Sequence, residues 1–249
     1  MFRYSPPTAT EESPKTPPCW MLTYPRVGSN YLCAALNHTG QFKPPFQEWI
    51  NPRVSARNEP DCHLTTTWEP WLKIKEEFAY HEDVGLLLDN LPRHLKVHNF
   101  DYSLYFNLEH VDEIQKKLPD IKFIRLRRRD QIACAVSYYL ATNTGVFESL
   151  DHHVMKHSSI SVPIDKDELL KCRQWVYWWD KYWEDFVNGT DHIEIFYEDL
   201  VSDIEVIQKA HSYLGISVSW AKRVMPIIGE RKLKHPQTNE LISILKEGE

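Results

Sequence analysis

The chain has 249 residues, with 29 Lys+Arg against 35 Asp+Glu and a formal net charge of −6. That length suits one large domain with a real core. The acidic balance argues against a general nucleic-acid coat or a polybasic membrane binder, and leaves room for a local basic pocket that serves a small anion.

Five cysteines (Cys19, Cys33, Cys62, Cys134 and Cys172) are odd in number, widely spaced and without a CxxC pair. They argue against a disulfide framework or structural zinc and for a reducing compartment. Residues 1–18, rich in Pro, Ser, Thr and Glu, read as a mobile tail without an apolar signal core. No stretch approaches the ~20 apolar residues of a membrane span. The expectation is a cytoplasmic protein with a single domain over 19–249, with no membrane or nucleic-acid partner.

In chain order, CWMLTY (19–24) predicts a strand, and Pro25-Arg26-Val27-Gly28-Ser29 a tight turn into the helix-compatible NYLCAALNH. Residues 40–70 carry five prolines and predict a long loop. Helical stretches are expected near 71–80 and 83–90, a short strand at HLKVH (94–98), and a helix over 103–118. IKFIRLR (121–127) predicts a strand and DQIACAVSYYLAT (130–142) a helix with Asp130 as N-cap. Asp165 to Phe186 predicts a long helix opened by the Asp165/Glu168 capping pattern and followed by Gly189. HIEIFY (192–197) predicts a strand, with Leu200, Ile204, Ile207, His211 and Leu214 on one face of the helix after it. Alternating strands and helices imply parallel strands with crossover helices, an α/β sandwich.

Two segments point to chemistry. The strand–turn–helix over 25–30 presents free N–H groups at a helix N-terminus, which favours a phosphate or sulfate. Gly28 lets the backbone approach the anion, Ser29 and Asn30 add side-chain donors, and Arg26 adds positive charge. Glycine is scarce, 8 residues where ~7% usage would give about 17, and one of them falls in this turn. The Walker A pattern GxxxxGK[ST] is absent.

Arg125, Arg127, Arg128 and Arg129 then fall at a strand end before a helix, and four clustered arginines are costly unless they meet an anion. Strand alternation points Arg125, Arg127 and Arg129 one way and Arg128 the other. Ser137, two turns into the helix, can donate to the same group. Two anion sites at C-terminal strand ends suit a nucleotide with two separate charged groups.

These residues resemble the sulfotransferases that use 3′-phosphoadenosine 5′-phosphosulfate (PAPS). LTYPRVGSNYL (22–32) is similar to their 5′-phosphosulfate loop, RLRRRDQIACAVSYYLATNTG (125–145) to their 3′-phosphate segment, and EIFYEDLVSD (194–203) to their YEDL stretch. The order in 125–145 is most similar to the bacterial trehalose-sulfotransferase branch. The resemblance implies a three-layer sandwich like that of P-loop NTPases, with a central parallel sheet.

It also implies PAPS as co-substrate, 3′-phosphoadenosine 5′-phosphate (PAP) as product, and a small-molecule acceptor. It assigns Arg26, Val27, Gly28, Ser29 and Asn30 to the 5′-phosphosulfate, with Val27 in place of the family's usual serine. Arg128 or Arg129, with Ser137, would hold the 3′-phosphate. Arg231 and Lys232 fall where the family closes a loop over the nucleotide.

Two bases compete for the acceptor proton. Glu48 lies in PPFQEWIN (44–51), which resembles the branch's glutamate segment, and His98 in LKVH resembles the Lys-x-His of the cytosolic branch. The overall similarity favours Glu48, and Lys96 would contact the sulfuryl group or the acceptor in either case. No metal is expected in the reaction. His153 and His157 have HxxxH spacing without an evident third ligand. The aromatic series Trp175, Trp178, Trp179, Tyr182, Trp183 and Phe186 is expected to be core. The rival readings are a P-loop nucleotide kinase or hydrolase and a non-catalytic nucleotide-binding protein.

Overall fold

The computed structural model describes residues 16–37, 39, 41–42, 46, 93–98, 110–147, 160–216 and 235–247. Four strands, β1 (Cys19–Thr23), β2 (His94–His98), β3 (Lys122–Arg127) and β4 (His192–Phe196), form one sheet in the order β2-β1-β3-β4. Every pairing is parallel, with Trp20 beside Leu95 and Phe123, and Arg125 beside Glu194. β1, inside the sheet, and β2, at its edge in this order, are both buried along their whole length.

The helices are α1 (Ser29–Asn37), α2 (Val111–Lys117), α3 (Gln131–Thr144), α4 (Lys166–Val187), α5 (Tyr197–Leu200), α6 (Ile204–Tyr213) and α7 (Thr238–Glu247). α1 and α6 pack together on one face of the sheet, where Cys33 of α1 meets Met21 of β1. α3 and α4 pack together on the other, where Phe186 of α4 meets Phe123 edge-on and Trp183 Nε1 donates to the Thr23 carbonyl at 2.7 Å. The expected three-layer α/β sandwich is the observed architecture.

The helix starts follow the predicted capping chemistry. Asp130 accepts from the Ala133 N–H at 2.8 Å and Asp165 from the Glu168 N–H at 3.0 Å. Three expectations are corrected, and one element was not anticipated. The ordered chain reaches back before Cys19: Thr16 is buried, with Oγ1 3.1 Å from His94 Nε2, and the Pro18 carbonyl accepts from Lys122 N–H. The single helix expected over 200–214 is two, because Asp203 turns extended and caps the second through Glu205 N–H. α7 is a C-terminal helix with no sequence expectation. The aromatic series on α4 divides: Trp179, Trp183 and Phe186 are buried, whereas Trp175 and Trp178 face outward. The helices expected near 71–80 and 83–90, most of the 40–70 loop, the first part of the 103–118 helix, Cys62, His153 and His157 lie outside the described residues.

Candidate functional site

The C-terminal edge of β1 turns into α1 through Pro25–Gly28, and the turn is conformationally forced. Arg26 has φ +72° and Gly28 φ +82°, both left-handed. For a non-glycine residue this costs about 1–2 kcal/mol, a strain that marks functional turns. A Cβ on Gly28 would lie 2.7 Å from the Tyr197 ring, so glycine is required twice, for its φ and for its neighbour. The Gly28 carbonyl accepts the first helical bond, from Leu32 N–H at 3.1 Å. The N–H groups of Ser29 and Asn30 therefore precede the first helical hydrogen bond. Val27 is fully buried, so the position where the family has serine here serves packing. Cys134 donates to the Pro25 carbonyl at 3.6 Å, and burial pushes its thiol up to about 12, which keeps it protonated and inert.

The side chain of Arg26 leaves this turn for α3. Its Nε donates to Ser137 Oγ at 2.9 Å and its Nη1 to the Phe147 carbonyl. Arg128 approaches from β3: Nη1 lies 3.4 Å from the Arg26 carbonyl, and the guanidinium carbon sits 4.7 Å from the Tyr197 ring centre. Arg26, Arg128 and Ser137 thus converge, beside the turn that carries Gly28.

The remaining arginines are paired within the protein, so the clustered charge is met largely by carboxylates of the chain itself. Arg125 and Arg127 share Asp180 of α4 and Glu194 of β4 on the buried α4 face of the sheet. Gln131 Nε2 also donates to Asp180, at 3.1 Å. β3 ends at Arg127, so alternation stops there. Arg129 turns outward and makes a bidentate pair with Asp199 at 2.6 and 2.7 Å. The start of α3 is closed by carboxylates as well. Glu198 accepts from the N–H groups of Arg129 and Asp130 at 3.1 and 3.2 Å, and Asp130 caps Ala133. Arg128 keeps a buried Nε with no hydrogen-bond acceptor among the described residues; the nearest carboxylate oxygen, Glu198 Oε1, is 3.8 Å away.

On the other side of α1, Lys96 is buried on β2 and its Nζ donates to Asn30 Oδ1 at 2.6 Å. His98, also buried, ends β2 beside Thr23, the last residue of β1, on the same face of the strand as Lys96. Glu48, Arg231 and Lys232 lie outside the described residues.

Sequence reasoning passed over three residues that organise this edge. Tyr197 packs on both Gly28 and Arg128. Glu198 closes the start of α3. Tyr24 accepts from the Arg128 N–H at 3.2 Å, its hydroxyl held protonated because burial raises its pKa. The FYEDL run flagged two of them; nothing local to Tyr24 marks it.

A search among curated proteins finds no match for the chain. The sequence profile of the sulfotransferase family matches residues 18–220, a span that takes in all four strands, the Gly28 turn, Arg128 and the Tyr197–Glu198 pair. The chain belongs to the sulfotransferase family.

Proposed function

We propose that the chain transfers a sulfuryl group from PAPS to a hydroxyl or amine of a small-molecule acceptor by in-line displacement. The observation that carries this reading is the convergence of the α1 N-terminus at Ser29–Asn30 with Arg26, Arg128 and Ser137 on one edge of the sheet. The residues fit a doubly charged nucleotide. Gly28 lets the Tyr197 ring close against the turn, and the buried Arg128 Nε is a donor in search of an acceptor. The order Arg-Arg-Asp-Gln through Ala-Val-Ser supports the trehalose-sulfotransferase branch.

When bound, the nucleotide supplies an activated sulfuryl group and a phosphate leaving group. The N–H groups of Ser29 and Asn30, aligned with the α1 dipole, stabilise negative charge at the 5′ end. Arg128 and Ser137 hold the 3′-phosphate, and Arg26, whose backbone shapes the turn, directs its guanidinium to the same group. Lys96, anchored on Asn30, places a buried ammonium beside the transfer site, where it opposes charge that builds in the transition state. The acceptor proton goes to Glu48 or His98, which at ~10²–10⁴-fold is the largest single side-chain contribution.

Calorimetric titration with PAP tests the site: tight binding in the wild type and loss in Arg128→Ala support it, while absent binding, or binding indifferent to that change, overturns it. A labelled-sulfate transfer assay separates the bases. The variant at the true base, Glu48→Gln or His98→Ala, loses ~10²–10⁴-fold in kcat with PAP affinity retained. Retained kcat in both variants removes Glu48 and His98 as the base, whereas binding without transfer to any hydroxyl or amine acceptor leaves a nucleotide-binding protein and contradicts the proposed chemistry.

A further inference from the structure

Tyr24 links the β1–α1 turn to the segment between β3 and α3. In sequence it heads the first, with Pro25 next and Arg26 and Gly28 two and four residues on. Its side chain reaches the second, where the hydroxyl oxygen accepts the N–H of Arg128 at 3.2 Å. The residue is 1% exposed, and its ring lies beside Trp179 of α4 with centroids 6.5 Å apart. Asp180, the next residue of α4, holds the side chains of Arg127 and Gln131, and Trp183 donates to the Thr23 carbonyl. One helix therefore supports both ends of the bond between Tyr24 and Arg128.

The chemistry of the acceptor matters as much as its place. Three successive N–H groups, those of Arg128, Arg129 and Asp130, meet side-chain oxygens: Glu198 takes the last two and Tyr24 the first. A carboxylate on the first would set a full negative charge beside the Arg128 guanidinium and oppose an incoming anion. The phenol accepts the same bond without charge, and burial, which raises its pKa, keeps it neutral. Pro25 removes one backbone rotation between the phenol and Arg26, so little slack separates the hydroxyl from the turn.

We propose that Tyr24 is a positioning residue that sets the distance between the two proposed anion sites, so that a nucleotide carrying both phosphates is held at both ends at once. This role rests on the PAP site proposed above. PAP carries its two phosphates on one ribose, so their separation is nearly fixed. The second contact adds affinity only where the protein matches that separation.

Calorimetry with PAP, adenosine 3′-phosphate and adenosine 5′-phosphate tests the role. Tyr24→Phe keeps the ring and removes only the acceptor. PAP affinity falls about 10-fold in this variant, whereas each single-phosphate nucleotide, free to shift toward its own site, changes by less than about 2-fold. With Arg128→Ala already in place, Tyr24→Phe weakens PAP binding by less than about 2-fold further, because the two residues act through one contact. A merely structural bond would weaken all three nucleotides alike. That result, unchanged PAP affinity, additive losses in the double variant, or a Tyr24→Phe chain that does not fold each overturns the proposal and leaves the PAP site standing. A wild type that does not bind PAP removes the site itself, and this role with it.

Discussion

Two strand-to-helix junctions open on the same edge of the sheet, and the protein treats them oppositely. At β1–α1 the first N–H groups of the helix have no acceptor in their own turn, and the backbone is held left-handed at Arg26 and Gly28. At β3–α3 the corresponding groups are closed by Glu198 and Asp130, and the arginines before them are paired with Asp180, Glu194 and Asp199. Both junctions offer positive potential to an anion. Among the described residues the second supplies its own anion, and leaves Arg128 as the donor that looks across to the first. A charged nucleotide would bridge the pair.

The largest way to break this contrast is at the closed junction. Asp180 serves two buried arginines, and Asp180→Ala leaves both short of a counter-charge; the expected loss is ~3–5 kcal/mol of stability, read by denaturant titration. Acid acts on two buried histidines. Burial pushes His211 of α6, packed against α1 at Ala35, and His94 of β2 down to about 4. Each ring is held neutral in the folded state, against a usual value of ~6.5 when unfolded. The stability it contributes is therefore complete above pH ~6.5 and is lost as pH falls toward about 4, by up to ~3 kcal/mol per ring. Thermal midpoints measured over that range should fall, and His211→Gln should flatten the slope.

Arg128→Ala, next in size, removes the donor between the junctions. PAP affinity should fall about 10- to 100-fold while the thermal midpoint hardly moves. Glu198→Gln sharpens the contrast with the smallest effect. It takes a charge from the α3 N-terminus, costing about 1 kcal/mol of stability, yet it frees Arg128 from a competing carboxylate. PAP should then bind more tightly, and weaker binding would mean that Glu198 helps to place Arg128.

Much of this was legible in the amino-acid sequence, for local reasons. Strand periodicity, the Asp130 and Asp165 caps and the glycine-marked turn are encoded within a few residues of where they act, and the four strands, α1, α3 and α4 formed close to where expected. The division of the arginine cluster was not legible. Arg125 and Arg127 are assigned to Asp180 by a helix 55 residues on, and Glu198 reaches α3 only because β4 pairs with β3. Side-chain pairings of that range are set by tertiary packing, which spacing in one chain does not reveal. The left-handed Arg26 was hidden for a related reason: arginine carries no turn signature, and the conformation is imposed by contacts to Ser137 and Phe147, over a hundred positions away.

The central claim is that the open β1–α1 junction takes an anion. Calorimetry comparing PAP with adenosine 3′-phosphate, which lacks the 5′-phosphate, measures that contribution directly. The account predicts that PAP binds at least about 10-fold more tightly, and that Gly28→Ala, which adds a methyl group 2.7 Å from Tyr197, narrows the gap. Equal affinities for the two nucleotides in the wild type would contradict it.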